Sequence, residues 1–325
     1  MSLLVHTPRD DSPAASRLVL GMRVDSVTPA QALAKVEEWA GQARPRIVCA
    51  ANVHMVMEAF DHPLFRAQVN GADLVLPDGV PTVWALRALG LPCPRRVRVT
   101  PDWLRDLFAM LERRGFVLSL YGGAQATLDT FAAQLATHYP LLRIGAVIAP
   151  PFRPMTADED ADAVRRIVTA ETDVLFTGIG CPKQERWMAD HRDSLECVMI
   201  GVGAAFDVFG GRTRQAPAWM RERGLEWTYR LLCEPRRLWR RYLVQNPRFV
   251  LLFAAQCLRA PCEVARTSLK SPTSRSTLCR LLGFVPRTPL GDEDHCAGSQ
   301  AYSQGDAGVA HQHAHGPEGA AQHKR

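Results

Sequence analysis

Between residues 18 and 215, short apolar runs alternate with amphipathic segments of helical period. Strands joined by crossover helices predict a mainly parallel sheet covered by helices on its faces. The runs read as strands are Arg17–Val27, Arg46–Ala51, Leu74–Leu76, Phe116–Tyr121, Leu142–Ile148, Asp173–Thr177 and Cys197–Val202. Thr28 and Pro29 mark a helix start, because threonine caps well and proline suits the first helical position. From Pro217 the pattern turns wholly helical and dense in Arg, Trp and Tyr. After about Cys262 it becomes rich in Ser, Gly, Ala and His, which predicts a disordered tail. His311, His313 and His315 in that tail read as solvated coil.

No apolar run is long enough to span a bilayer, and Met1–Pro13 lacks the apolar block of a secretory signal. The nine cysteines are scattered, with no C-x-x-C pair, so reduced thiols in a cytosolic protein are expected. Net charge is +6, and the segment Pro217–Arg259, with nine arginines and three glutamates, holds +6 by itself. Arg236/Arg240 and Arg237/Arg241 are like-charge pairs at i,i+4, which an anionic partner would relieve. Trp227, Tyr229, Trp239 and Tyr242 lie among them, a mix suited to a membrane interface or to pyrophosphate. The competing reading is a packed helix whose arginines pair with Glu222, Glu226 and Glu234, but three acids cannot pair nine arginines. No nucleic-acid motif is present, so no nucleic-acid partner is expected.

In a parallel sheet, several strand ends converge on one edge: Asn52, Asp78, Gly122-Gly123, Gly178-Ile179-Gly180 and Asp207. That edge is where open α/β sheets hold their ligands. Asp78 sits in Leu74-Val75-Leu76-Pro77-Asp78-Gly79, a strand end turned by proline and glycine. A carboxylate there can take a proton from a hydroxyl; the plainer reading is a turn with no chemistry. Gly122, Gly123, Gly178 and Gly180 let the backbone approach a phosphate, or are simple strand-to-helix turns. Cys181-Pro182-Lys183-Gln184-Glu185 opens a helix, where Lys183 could meet phosphate and Gln184 a base or sugar. Equally, Glu185 could cap that helix while Lys183 stays solvated. A full G-x-G-x-x-G is missing, which argues against a nicotinamide enzyme. Asp158-Glu159-Asp160 and Asp292-Glu293-Asp294 fit an Asp-x-Asp metal pattern, but the first falls in a helix's first turn and the second in the tail. Both read as structural or solvated, and no metal is expected.

Leu-Pro-Asp-Gly (76–79), Gly-Ile-Gly-Cys-Pro-Lys-Gln-Glu (178–185), Gly-Val-Gly-Ala-Ala-Phe-Asp (201–207), Arg-Gln-Ala-Pro-x-Trp (214–219) and Glu-Trp-x-x-Arg-Leu-x-x-Glu-Pro-x-Arg (226–237) fall in one order. Together they resemble the WecG/TagA/CpsF glycosyltransferase family, over roughly residues 18–255. The resemblance implies a Rossmann-like α/β fold with an arginine-rich helical appendage that docks on a membrane and closes the site. It implies metal-free, inverting transfer of N-acetylmannosamine, its uronic acid or glucose from a UDP-sugar donor to a polyprenyl-diphosphate-linked sugar acceptor. The place implied is the inner face of the cytoplasmic membrane, in teichoic acid, enterobacterial common antigen or exopolysaccharide synthesis. It makes Asp78 the base, with Asn52 beside it. Arg98, Gly122, Gly123, Gly178, Gly180, Lys183, Gln184, Glu185 and Asp207 then belong to the donor pocket, and Arg230, Arg237 and Arg241 to the acceptor diphosphate. Two departures stand out. Ala50-Ala51-Asn52 replaces a frequent Thr-x-Asn, and Arg96-Val-Arg-Val-Thr-Pro-Asp102 lacks a glycine, leaving Arg96 and Arg98 as alternatives.

The expected organisation is a flexible N-terminus (1–17), a catalytic domain (18–215), an appendage (216–260) and a tail (261–325). The alternatives are a nucleotide-binding oxidoreductase and a non-catalytic membrane-associated binder. Oligomeric state stays open, a homo-oligomer included.

Overall fold

In a computed structural model, the residues described are 14–93, 101–203, 206, 216–217, 220 and 226–268. They lie within one compact unit, Met1–Ser268. At its centre is a six-stranded sheet in the order β4-β3-β8-β7-β5-β6, parallel throughout. Its strands are β3 (Arg46–Ala51), β4 (Leu74–Pro77), β5 (Val117–Tyr121), β6 (Arg143–Ile148), β7 (Val174–Thr177) and β8 (Val198–Gly201). The expected α/β class, with helices flanking a parallel sheet, is the observed one.

The N-terminal run differs from its single-strand reading. It folds as an antiparallel hairpin, β1 (Ser16–Val19) and β2 (Met22–Asp25). Leu20 (φ 51°) and Gly21 (φ 84°) both take positive φ, as the tightest hairpin turns require. Strand periodicity continues through such a turn, so the sequence hides it.

Alternate residues of each strand feed two cores. Ile47, Cys49, Val75, Leu175 and Met199 pack on one face with α2 (Val53–Asp61), α3 (Pro63–Asn70), α7 (Ala157–Thr169) and α8 (Lys183–Asp190). Val48, Leu74, Leu76, Leu118, Phe176 and Ile200 pack on the other with α1 (Pro29–Ala40), α5 (Pro101–Arg114) and α6 (Gln125–His138). The remaining core helix, α4 (Val80–Ala88), follows Asp78 directly and joins the first face. Thr28 caps α1 in a full capping box with Gln31, with Pro29 inside the first turn.

The C-terminal helices are α9 (Glu226–Cys233), α10 (Pro235–Trp239), a π-helical turn Arg240–Gln245, and α11 (Asn246–Ser268). Helical backbone therefore continues past residue 260, where the tail was expected to begin. The rest of that tail lies outside the described residues. Among the described residues no helix is long and apolar enough to cross a membrane.

Candidate active site

The carboxyl ends of all six strands share one edge, as the parallel order demands. β3 and β4 are neighbours there, and the Asp78 N–H donates to the Ala51 carbonyl at 2.8 Å. Asn52 and Asp78 thus leave adjacent strands at the same level. Asp78 is half-buried. Gly79 follows with φ +106°, a conformation that side chains resist, and this lets the chain turn at once into α4. Asn52 is extended and caps α2, its Oδ1 accepting from the Met55 N–H at 3.2 Å.

Across the edge, β5 and β7 end in glycines for a steric reason. A Cβ on Gly122 would stand 2.5 Å from the Gly178 carbonyl carbon, and one on Gly178 would collide with the Phe206 ring. Beside Gly180 the space is open, and a Cβ on Gly123 would meet only the Phe206 ring, at 3.8 Å. These two turns bring bare backbone to the rim, and α8 begins just beyond the second, after the Cys181-Pro182 bond.

Lys183 is exposed, whereas Gln184 and Glu185 are only 3% and 2% exposed. Glu185 does not cap α8: its Oε1 accepts from Gln184 Nε2 at 2.6 Å. Burial is the main cause that holds its carboxyl above the usual range, and burial next to this acid pushes the Cys181 thiol up as well. Thr177 Oγ1, Gln184 Oε1 and Glu185 Oε2 are buried without a hydrogen-bond partner among the described residues. Such atoms cost stability, and they gather where β7 meets α8.

The appendage returns to this same edge. Arg241 Nη2 donates to Asn52 Oδ1 at 3.3 Å, and Gln245 Oε1 lies 3.0 Å from His54 Nδ1. Further along, Arg248 grips Asp61 with two bonds of 2.6 Å, and Gln256 bonds the backbone of Leu18 and Leu20. Phe249 is buried in the first core. Asp61 belongs to α2, so an acid far away in sequence serves one of the nine arginines. Arg240 and Arg241 instead sit over the rings of Trp239 and Tyr242.

The outer side of the appendage is apolar and exposed: Leu243, Val244, Val250, Leu251 and Leu258 are 52–80% accessible. Spacings of seven place Val244, Leu251 and Leu258 along one stripe.

The structure brings Asn52, Asp78, the four glycines, Lys183, Gln184 and Glu185 to one edge, with Arg241 arriving from the appendage. Arg230 is half-buried on α9. Arg98 and Asp207 lie outside the described residues, as does the side chain of Arg237, whose backbone is in α10. His54 and Gln245 carry no motif and were not singled out by sequence; only the docking of α2 against the π-helical turn joins them. The acidic triplet is structural. Glu159 completes a capping box with Thr156 and binds Arg153, while Asp160 bonds Trp187 Nε1 and His191 Nε2.

The model of the glycosyl transferase WecG/TagA/CpsF family matches residues 17–263. Among similar proteins are three named N-acetylglucosaminyldiphosphoundecaprenol N-acetyl-beta-D-mannosaminyltransferase. The one from Bacillus spizizenii is 27% identical over 64% of this chain and 79% of its own length. That from Bacillus subtilis is 26% identical over 63% and 77%. That from Staphylococcus aureus is 27% identical over 72% and 91%.

Proposed function

Because the chain belongs to the WecG/TagA/CpsF glycosyltransferase family, we propose that it moves N-acetylmannosamine, with inversion, from UDP to a polyprenyl-diphosphate-linked N-acetylglucosamine. Three relatives are named for transfer of that sugar to that acceptor class. The observation that carries the reading is the meeting of Arg241 with Asn52 at the strand end beside Asp78. A cation from the appendage, a carboxylate and two glycine turns then stand along one edge of the sheet. This is the arrangement needed to bring an acceptor diphosphate and a nucleotide donor to one base.

Asp78 takes the proton of the acceptor hydroxyl. The freed oxygen attacks the anomeric carbon, forming the new C–O bond from the face opposite UDP. The bond from that carbon to the β-phosphate oxygen breaks, and UDP leaves with the electron pair. The Gly122 and Gly178 N–H groups are spent on the Ile148 and Tyr121 carbonyls; those of Gly123, Ile179 and Gly180, just beyond them, are suited to the leaving diphosphate. Arg241, with Arg230 and Arg237, meets the acceptor's own diphosphate. The exposed stripe on α11 lies on the membrane surface, and the arginines hold anionic headgroups there, on the inner face of the cytoplasmic membrane.

The test is transfer from UDP-N-acetylmannosamine to N-acetylglucosaminyl-diphosphoundecaprenol by the full chain, read by mass spectrometry, with UDP-glucose and the uronic acid donor in parallel. A disaccharide product from the first donor supports the reading. Product only from another donor overturns the sugar, and no product from any donor overturns the acceptor.

A further inference from the structure

His54 is reached from two directions. Its Nδ1 lies 3.0 Å from Gln245 Oε1 on the appendage, and on the other side the ring is near the backbone of Cys181, which favours its charged form, in the turn that leads from β7 into α8. Glu58, one turn along α2, is 3.8 Å from the same Nδ1, and Arg241 faces the ring from the appendage. A neutral imidazole carries one N–H, so both contacts cannot be donated by the ring. With Nε2–H turned toward the Cys181 backbone, Nδ1 takes a proton from the Gln245 amide turned end for end. This assignment follows from the hydrogen-bond network.

The neighbouring contact is Arg241 to Asn52. Asn52 caps α2 and His54 stands in its first turn, two residues on, while Arg241 and Gln245 are four apart on the π-helical turn. The two contacts therefore form a ladder of two rungs, and fixing one fixes the other. π-Helical turns of this kind recur at functional sites, because the extra residue re-aims the side chains around it. We propose that His54 is a positioning residue that ties the Gly178–Pro182 turn to the appendage and so sets Arg241 against Asn52. The inference rests on the reading above, in which that turn serves the donor and Arg241 the acceptor. A rigid ring with two nitrogens can bridge two elements, whereas Asn reproduces only the Nδ1 position and Gln only the Nε2 position.

The test is hydrogen exchange in the full chain, comparing the native protein with His54→Asn and His54→Gln, with and without UDP. Without ligand, His54→Gln should speed exchange in residues 246–259 about tenfold, the size of an ordinary coupling between sites, while His54→Asn holds them near the native rate. UDP should slow exchange at 178–185 in all three proteins, and at 246–259 in the native protein alone. A pH series separates this from plain packing. Protonation would put imidazolium beside Arg241, and burial already disfavours it, so native 246–259 should loosen as pH falls below about 6.5, the ordinary histidine value. His54→Asn should show no such slope. With both substrates, His54→Gln should raise KM for the lipid acceptor and leave KM for the UDP-sugar unchanged. Equal ligand-free exchange at 246–259 in all three proteins overturns the ladder. Failure of UDP to slow 178–185 in the native protein overturns the donor-side reading instead, while the ligand-free comparison still decides the ladder.

Discussion

Asp78 owes its position to its neighbours. Pro77 ends β4, Gly79 turns the chain at φ +106°, and the Asp78 N–H is tied to Ala51. Removing the charge should leave this backbone intact. Asp78→Asn should therefore lower turnover by about 10²–10⁴-fold, the usual worth of a general base, with the melting temperature and UDP affinity nearly unchanged. Steady-state kinetics beside calorimetry checks both halves. Glu185 invites the opposite experiment. Its folded value is raised by burial, so the folded state is penalised increasingly as pH rises above the ordinary carboxylate range, and fully once pH exceeds the raised value. The penalty fades as pH falls toward the ordinary carboxylate range, where the unfolded chain also binds the proton. Glu185→Gln keeps an oxygen for Gln184 Nε2 and removes the buried charge. It should raise the melting temperature by a few degrees at pH 8, and the gain should shrink toward pH 5. An equal gain at both pH values would contradict a buried ionisable carboxyl.

At the scale of elements, the question is what holds the appendage against α2. The Arg248–Asp61 pair is half-exposed, and such pairs contribute about 0–1 kcal/mol. Phe249 is 4% exposed, and emptying a phenylalanine site costs about 3–5 kcal/mol. The aromatic anchor should therefore outweigh the ion pair. Phe249→Ala should release the appendage rather than unfold the sheet, because among the described residues Phe249 is the one fully buried side chain that α11 gives to the first core. Limited proteolysis should cut the 226–268 segment faster in this variant, while the main thermal transition moves by only a few degrees. Asp61→Asn should produce a much smaller change in both measurements.

For the whole molecule, two forces should act on an anionic membrane: burial of the outer α11 stripe and attraction of the arginines. Each basic residue near such a surface adds about 1 kcal/mol, and salt weakens it. Leu251 and Leu258 are 73% and 80% exposed, so their replacement by glutamate should not disturb the core. The Leu251→Glu/Leu258→Glu variant should bind phosphatidylglycerol vesicles at least about tenfold less, and native binding should fall as salt rises; sedimentation with vesicles measures both. Vesicle binding indifferent to the two changes would remove α11 from the membrane face. The alternation of apolar runs and amphipathic helices determined the parallel sheet, because each strand's residues already carry the pattern of the two faces they bury. The Pro-Asp-Gly and Gly-Ile-Gly turns were equally legible, since proline and glycine impose their backbone wherever they stand. The β1–β2 turn was hidden because alternation runs straight through it. That Glu185 is buried against Gln184, that Asp61 answers Arg248, and that His54 meets Gln245 were decided by tertiary structure alone. The burial of Glu185 depends on how α8 packs against the sheet, and the other two pairs join segments 187 and 191 residues apart; no local propensity records where a helix from the far end of the chain comes to rest.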